Sequence, residues 1–238
     1  MKSTSQRLYE RYNTLSRRPF ISDARTKKIV FKSLNRVIGP WLPGERAAMI
    51  LDVGCGEGAL LAFLRARGFQ NLQGFDISPE NVALCHQIGL EFVEQFDALR
   101  IGDWEVADSY DAIYAMDLIE HLPKEVAAEF VDQTRRLLRL GGFLVLQSPN
   151  MGCVFGNYHR HYDLSHQFAL TEKTAVDLLM IAGFPSSKIE LRPCWNATTT
   201  LGYLREIYLR LLHRMIFLAE DASRPRIPSK NLLIRAER

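Results

Sequence analysis

The sequence predicts an α/β protein built on a mostly parallel sheet with helices on both faces, and three observations lead there. Between residues 49 and 147, short apolar runs rich in β-branched and aromatic residues are separated by helical stretches. Strand and helix in strict succession mean parallel strands joined by right-handed crossovers. The runs are apolar throughout, as in strands covered on both faces, and a glycine-rich turn joins the first of them directly to a helix.

In chain order, residues 1–48 form a basic, helical N-terminal cap that includes Tyr9 and Tyr12. The predicted strands are MILDV (49–53), LQGFD (72–76), EFVEQ (91–95), DAIYAM (111–116) and GGFLVLQ (141–147). Helices are read from ALLAFLRAR, ENVALCHQI and KEVAAEFVDQTRRLLRL between them, and residues 49–148 make the nucleotide-binding core. Residues 149–170 are a polar, aromatic loop assigned to the substrate. A helix from Thr171 to Ala182 stops at Gly183, a C-terminal cap. A strand near KIELRP, an amphipathic helix over 201–220 and a last strand NLLIRA (231–236) complete the C-terminal part, 171–238, of one domain. In the long helix Leu204, Ile207, Tyr208, Leu211, Leu212, Met215 and Leu218 fall on one stripe, with Arg205, Arg210 and Arg214 off it. Core packing or a homodimer seam is the first reading of that stripe, and peripheral contact with a membrane surface the second.

With 238 residues, 47% hydrophobic, 24% charged and a net charge of +3, collagen, long disordered tails and disulfide scaffolds are excluded. The four cysteines share no CxxC spacing, so a reducing cytoplasm is the expected setting. No apolar run is long enough for a signal-peptide core or a membrane span. Residues 1–48 carry 11 Lys/Arg against 3 Asp/Glu and residues 201–238 carry 8 against 4, whereas 49–200 carry 11 against 20. Basic ends attract an anionic partner such as a phosphate-bearing substrate, or are solvated helix faces.

ILDVGCGEGALL sets strand, glycine turn and helix in immediate succession, the arrangement that brings a cofactor to a helix N-terminus. Gly54, Cys55, Gly56, Gly58 and Ala59 satisfy the dinucleotide pattern as well. Asp52 and Glu57 oppose that reading, because carboxylates beside the glycines repel a pyrophosphate at short range. S-adenosylmethionine (SAM) has no phosphate and presents an ammonium and a sulfonium, which the same acids attract. Asp76, followed by Ile77, ends the second strand where a carboxylate accepts from ribose hydroxyls, and Asp97, followed by Ala98, suits the adenine amino group. Either acid alone reads equally well as a turn residue. Three acids at successive strand ends around one glycine loop select SAM.

These motifs resemble those of class I SAM-dependent methyltransferases, with motif I at LDVGCGEG, GFDISPE and EQFDAL as the cofactor acids, and YDAIYAMDLIEHLPKE and LRLGGFLVLQSPN following. The resemblance implies a Rossmann-like fold with seven strands in the order 3-2-1-4-5-7-6, the last antiparallel. Met116 and Asp117 then overhang the methionine end of the cofactor.

Asp117-Leu118-Ile119-Glu120-His121 offers two readings that are compatible: a capping box between Asp117 and Glu120, and a base held by a carboxylate on one helix face. His159, His161 and His166 crowd the loop after the fifth strand, so His121 leads as acid/base candidate, with His161 or His166 second. The chain is similar to plant-type small-RNA 2′-O-methyltransferases in this pairing, which implies a Mg²⁺ site at Glu120, His121 and His166 or His161. It departs from them in Asp117 and in Gln167-Phe168-Ala169. The segments SPN, RHYDLSHQFALTEKTAVDLLMIAGF and NLLIRAER more closely resemble bacterial methyltransferases associated with O-antigen and other surface polysaccharides. O-methylation of a sugar or glycan-type acceptor, a small molecule that carries phosphate in one version, is therefore expected ahead of RNA ribose methylation or a non-catalytic SAM-binding subunit.

Overall fold

A computed structural model of the chain describes residues 4–16, 23–104, 107–219 and 225–238. Residues 1–3 and 17–22 of the expected cap, and residue 220 of the expected long helix, lie outside the described residues. Seven strands form one sheet: β1 (Ile50–Val53), β2 (Leu72–Asp76), β3 (Val93–Gln95), β4 (Tyr110–Met116), β5 (Leu138–Pro149), β6 (Ile189–Pro193) and β7 (Asn231–Glu237). Their order is β3-β2-β1-β4-β5-β7-β6, with β7 antiparallel to both neighbours and the first five strands parallel. This is the order the family resemblance implies.

The apolar strands are buried on both faces, as their unbroken composition requires. Leu51, Val53, Ile113 and Leu144 pack with Phe130 and Val131 of α6 (Lys124–Leu137) and Leu179 of α8 (Glu172–Ile181). Ile50, Tyr114 and Val145 pack on the other side with Leu61 and Leu64 of α4 (Ala59–Ala66) and Ile38 of α3 (Ala24–Ile38). α5 (Pro79–Gln87) begins at Ser78, which accepts from Asn81 N, with Pro79 in its first turn. Thr171 and Thr174 cap α8 reciprocally, and Gly183 follows it at φ +89°.

The N-terminal pieces, α1 (Thr4–Glu10) and α2 (Tyr12–Ser16), lie over the carboxyl ends of the strands. Thr14 N donates to Glu80 on α5 at 3.0 Å, and Tyr12 Oη donates to Asp163 after α7 (Gly156–His161) at 3.1 Å. α9 (Thr200–Ala219) docks through Arg36 of α3, whose guanidinium meets Glu206 with an Nη1–Oε1 distance of 2.8 Å.

Two sequence expectations are corrected here. The apolar stripe of α9 is exposed, with Leu204, Tyr208, Leu211 and Met215 all more than half accessible, while Glu206 and His213 face inward. Arg36 pairs with Glu206 and the Pro225 carbonyl accepts from His213 Nε2, while Arg205, Arg210 and Arg214 stay exposed. The DLIEH run is not one helix face. Asp117 is left-handed at φ +54° and is followed by a single 3₁₀ turn, Ile119–His121, without a side-chain cap. The Asp117 side chain instead accepts from Gln147 Nε2 (2.8 Å) and Asn231 Nδ2 (3.2 Å), so no Asp117–Glu120 capping box forms. Among the described residues no helix is long and apolar enough to cross a membrane.

Candidate active site

The carboxyl ends of β1, β2 and β4 open onto two adjoining cavities of about 300 and 360 Å³ that share Tyr12, Gly54, Gly56, Asn81, Met116 and Asp117. The glycine loop between β1 and α4 forms their common wall. Gly58 shows why it must be glycine: its φ is +78°, and a Cβ there would stand 2.5 Å from Leu90 and 2.9 Å from Cys85 Sγ. Cys55 lines the first cavity and donates weakly to Gly56 O.

Asp52 is 2% exposed, and its Oδ2 is buried without a hydrogen-bond partner. Burial, and secondarily the charge of Asp76, push its carboxyl up to about 8. A buried acid with an orphaned oxygen on a cavity wall is completed by a cation, so the donor set fits SAM. Asp76 is tied to the loop it serves, accepting from Gly56 N (2.9 Å), Ser78 N (2.8 Å) and Asn81 Nδ2 (3.1 Å). Asp97 accepts from Leu99 N at 2.9 Å, and with Ile77, Phe96, Ala98 and Leu99 it lines the second cavity. Asp97 thus makes a turn contact and also stands on the cavity wall. Asp52, Asp76 and Asp97 would hold the ammonium, ribose and adenine of SAM.

At the far wall of the second cavity stands His121, 8% exposed. Its Nδ1 lies 2.7 Å from Ser165 Oγ, which lies 2.5 Å from Asp163 Oδ1. A carboxylate only accepts, so Ser165 gives its one proton to Asp163 and must accept from His121 Nδ1–H. That tautomer puts the imidazole lone pair on Nε2. Burial alone would raise the Asp163 carboxyl, but hydrogen bonds from Ser165, the charge His121 carries once protonated, and Tyr12 outweigh it and hold it below the usual range. Tyr12 meets His121 edge-on, its ring centroid 5.9 Å away. Burial, and then the charges of Asp163, Asp97 and Asp76, push the Tyr9 phenol up to about 12, so it stays neutral.

Glu120, His121 and His166 gather so that their ligand atoms lie within 4.8 Å of one another. His166 Nδ1 donates to His159 O at 3.2 Å, and Gln167 Nε2 donates to His121 O at 2.9 Å, stitching the loop to the 3₁₀ turn. One carboxylate and two imidazoles suit a borderline ion such as zinc or manganese in preference to magnesium. Asp117, held by Gln147 and Asn231, contributes nothing to that cluster. His161 is exposed at the end of α7 and lines neither cavity.

Asn81, Gln147, Cys194, Asn196, Lys230 and Asn231 also line the cavities, and the sequence reading missed them. Asn81 had a signal, standing three residues after the Ser78 cap. Lys230 and Asn231 had one in the implied strand order, since a β7 antiparallel to β5 starts beside the end of β5.

Known proteins agree with this geometry. The family model described as "Methyltransferase domain" matches residues 23–180. A ubiquinone biosynthesis O-methyltransferase from Xanthomonas oryzae pv. oryzae is 36% identical over 107 residues, 43% of this chain and 44% of that protein. One from Alkalilimnicola ehrlichii is 31% identical over 113 residues, 46% of this chain and 44% of its own length. The chain thus spans less than half the length of the curated relatives it matches. Among solved structures, a SAM-dependent methyltransferase from Archaeoglobus fulgidus superposes with a TM-score of 0.71 at 21% identity, covering 95% of this chain and all of that one. The phosphoethanolamine N-methyltransferase 2 of Haemonchus contortus, in complex with SAM, gives 0.59 at 13% identity, covering 97% and 60%. By the matched family model and the strand order, the chain belongs to the methyltransferase-domain family, of the type whose cofactor is S-adenosylmethionine.

Proposed function

We propose that the protein is an O-methyltransferase acting on a hydroxyl of a sugar or glycan-type acceptor. The observation that carries this reading is the His121–Ser165–Asp163 relay, whose imidazole lines the same cavity as Asp76 and Asp97. Bound SAM supplies a methyl group already activated by its sulfonium. The chain's own part is to align the acceptor oxygen, exclude water and take one proton. His121 Nε2 takes the hydroxyl proton, and Asp163, through Ser165, steadies the imidazolium that results. Tyr9 and Tyr12 line the cavity from the N-terminal segment. Transfer to oxygen is also what the names of the ubiquinone biosynthesis relatives state of those proteins. The glycan class is supported by the resemblance carried by DLSHQFALTEKTAVDLLMIAGF and NLLIRAER.

The Glu120, His121 and His166 cluster favours a second reading, in which a divalent ion at these residues activates the acceptor hydroxyl. The two readings compete for the same lone pair of His121.

A labelled-methyl transfer assay against separated glycan, lipid, RNA and protein fractions, with and without EDTA, tests both. Label in the glycan fraction, undiminished by EDTA and reduced at least about 100-fold in His121→Gln, is the expected result. Label confined to RNA and abolished by EDTA would overturn the proposal in favour of the metal reading.

A further inference from the structure

A third cavity, of about 330 Å³, lies under α9 and shares Cys194, Asn196 and Lys230 with the first of the two cofactor cavities. The charges in its walls do not cancel. Glu206 is neutralised by Arg36 and further accepts from Ala197 N at 2.9 Å. Among the described residues, neither Lys230 nor Arg205 has a carboxylate within ion-pair distance. His159 is held neutral, its imidazole pushed down by burial and then by the Lys230 ammonium. The cavity is therefore cationic, with Lys230 on the wall that faces the methyl donor's pocket.

Two polar atoms in the same walls lack partners. Trp195 Nε1–H is buried and donates to nothing. His213 is 4% exposed and its Nε2 donates to Pro225 O at 3.0 Å, so its Nδ1 carries a lone pair, and that atom too is buried without a partner. Leaving a buried polar group without a partner is costly, so these two atoms are available to a polar ligand or to water in the cavity. The cations and the indole donor ask for an anion. The imidazole lone pair asks for a hydroxyl. Val154, Phe155, Leu209 and Leu212 complete the walls with apolar surface.

We propose that the cavity under α9 is an acceptor subsite for a hydroxylated molecule bearing a phosphate or carboxylate group, with the anion on Lys230 and Trp195 Nε1–H and a hydroxyl on His213 Nδ1. This deepens the O-methyltransferase reading and rests on it. It also fixes the register of the acceptor: the anion is held under α9, and the rest of the molecule extends past Cys194, Asn196 and Lys230 into the first cavity.

Calorimetric titration of the full chain with glucose 1-phosphate, glucuronate and glucose, each in the presence of SAM, tests the proposal. The expected result is that one of the two anionic sugars binds at least about tenfold more tightly than glucose, the tighter one identifying the group, and that Lys230→Gln removes the preference. Trp195→Phe, which keeps the ring and deletes the donor, is expected to weaken the anionic sugar about fivefold. Equal affinity for all three sugars, or a preference that survives Lys230→Gln, overturns the subsite. SAM titrated alone into the same samples separates the two levels. Intact SAM affinity without an anion preference sinks the subsite only, whereas a wild-type chain that binds no SAM sinks the methyltransferase reading. Circular dichroism checks that Lys230→Gln is folded, and if it is not, Lys230→Met, which keeps the apolar stem and removes the charge, takes its place with the same two outcomes.

Discussion

Ser165 Oγ bridges His121 and Asp163, 2.7 Å from the imidazole and 2.5 Å from the carboxylate, across 44 residues of sequence. The bridge turns a loop serine into the part that decides which imidazole nitrogen carries the proton. Ser165→Ala is expected to lower kcat about 10- to 100-fold with little change in KM for SAM, because it frees the tautomer without touching the cofactor acids.

Asp163→Asn separates positioning from simple packing. The asparagine keeps the volume but no longer stabilises an imidazolium, so the acid limb of the kcat/KM profile should move to lower pH. A merely structural role for Asp163 would reduce activity and leave that limb in place. The Asp163 carboxyl is itself held low, so the stability it contributes is present above the ordinary carboxylate range and is lost as pH falls through its folded value.

Asp52 should trade stability for binding. Its carboxyl titrates near 8 in the folded chain, against about 3.9 when unfolded. The folded state therefore binds the extra proton, and stability falls as pH rises between those two values. Asp52→Asn is expected to raise Tm at pH 8 in the absence of SAM, with the difference vanishing near pH 4. An unchanged Tm at pH 8 would show that the carboxyl is not strained by burial.

Arg36 and Glu206 hold α9 against α3, with side chains 25% and 10% exposed. Arg36→Met leaves Glu206 buried without its cation and is expected to cost about 2 kcal/mol in urea denaturation, discounted for the exposure of the arginine. The pair Arg36→Met with Glu206→Leu should recover much of that loss.

Much of this architecture was legible in the sequence. The unbroken apolar strands gave β1, β2 and β4 to within a residue, and the acids at successive strand ends line the two cavities there. What escaped was long-range or depended on three-dimensional compensation. Periodicity found α9 but could not tell that Glu206 turns inward, because its partner Arg36 lies 170 residues away. Spacing placed Asp117 and Glu120 in one capping box, and the left-handed backbone at Asp117 breaks it. The family resemblance grouped Glu120 and His121 with His166 or His161, but spacing within one loop could not tell that His166 sits beside Glu120 while His161 faces solvent.

The claim beneath the rest is that a buried carboxylate receives the positive charge of the methyl donor. Calorimetry of SAM binding at pH 7, repeated in buffers of different ionisation enthalpy, reads it directly through the protons exchanged. Because Asp52 begins mostly protonated and must ionise to face the ammonium, about one proton should be released per SAM bound, and Asp52→Asn should abolish that release and weaken binding at least about tenfold. Binding with no proton release, and of equal strength in Asp52→Asn, would contradict the account.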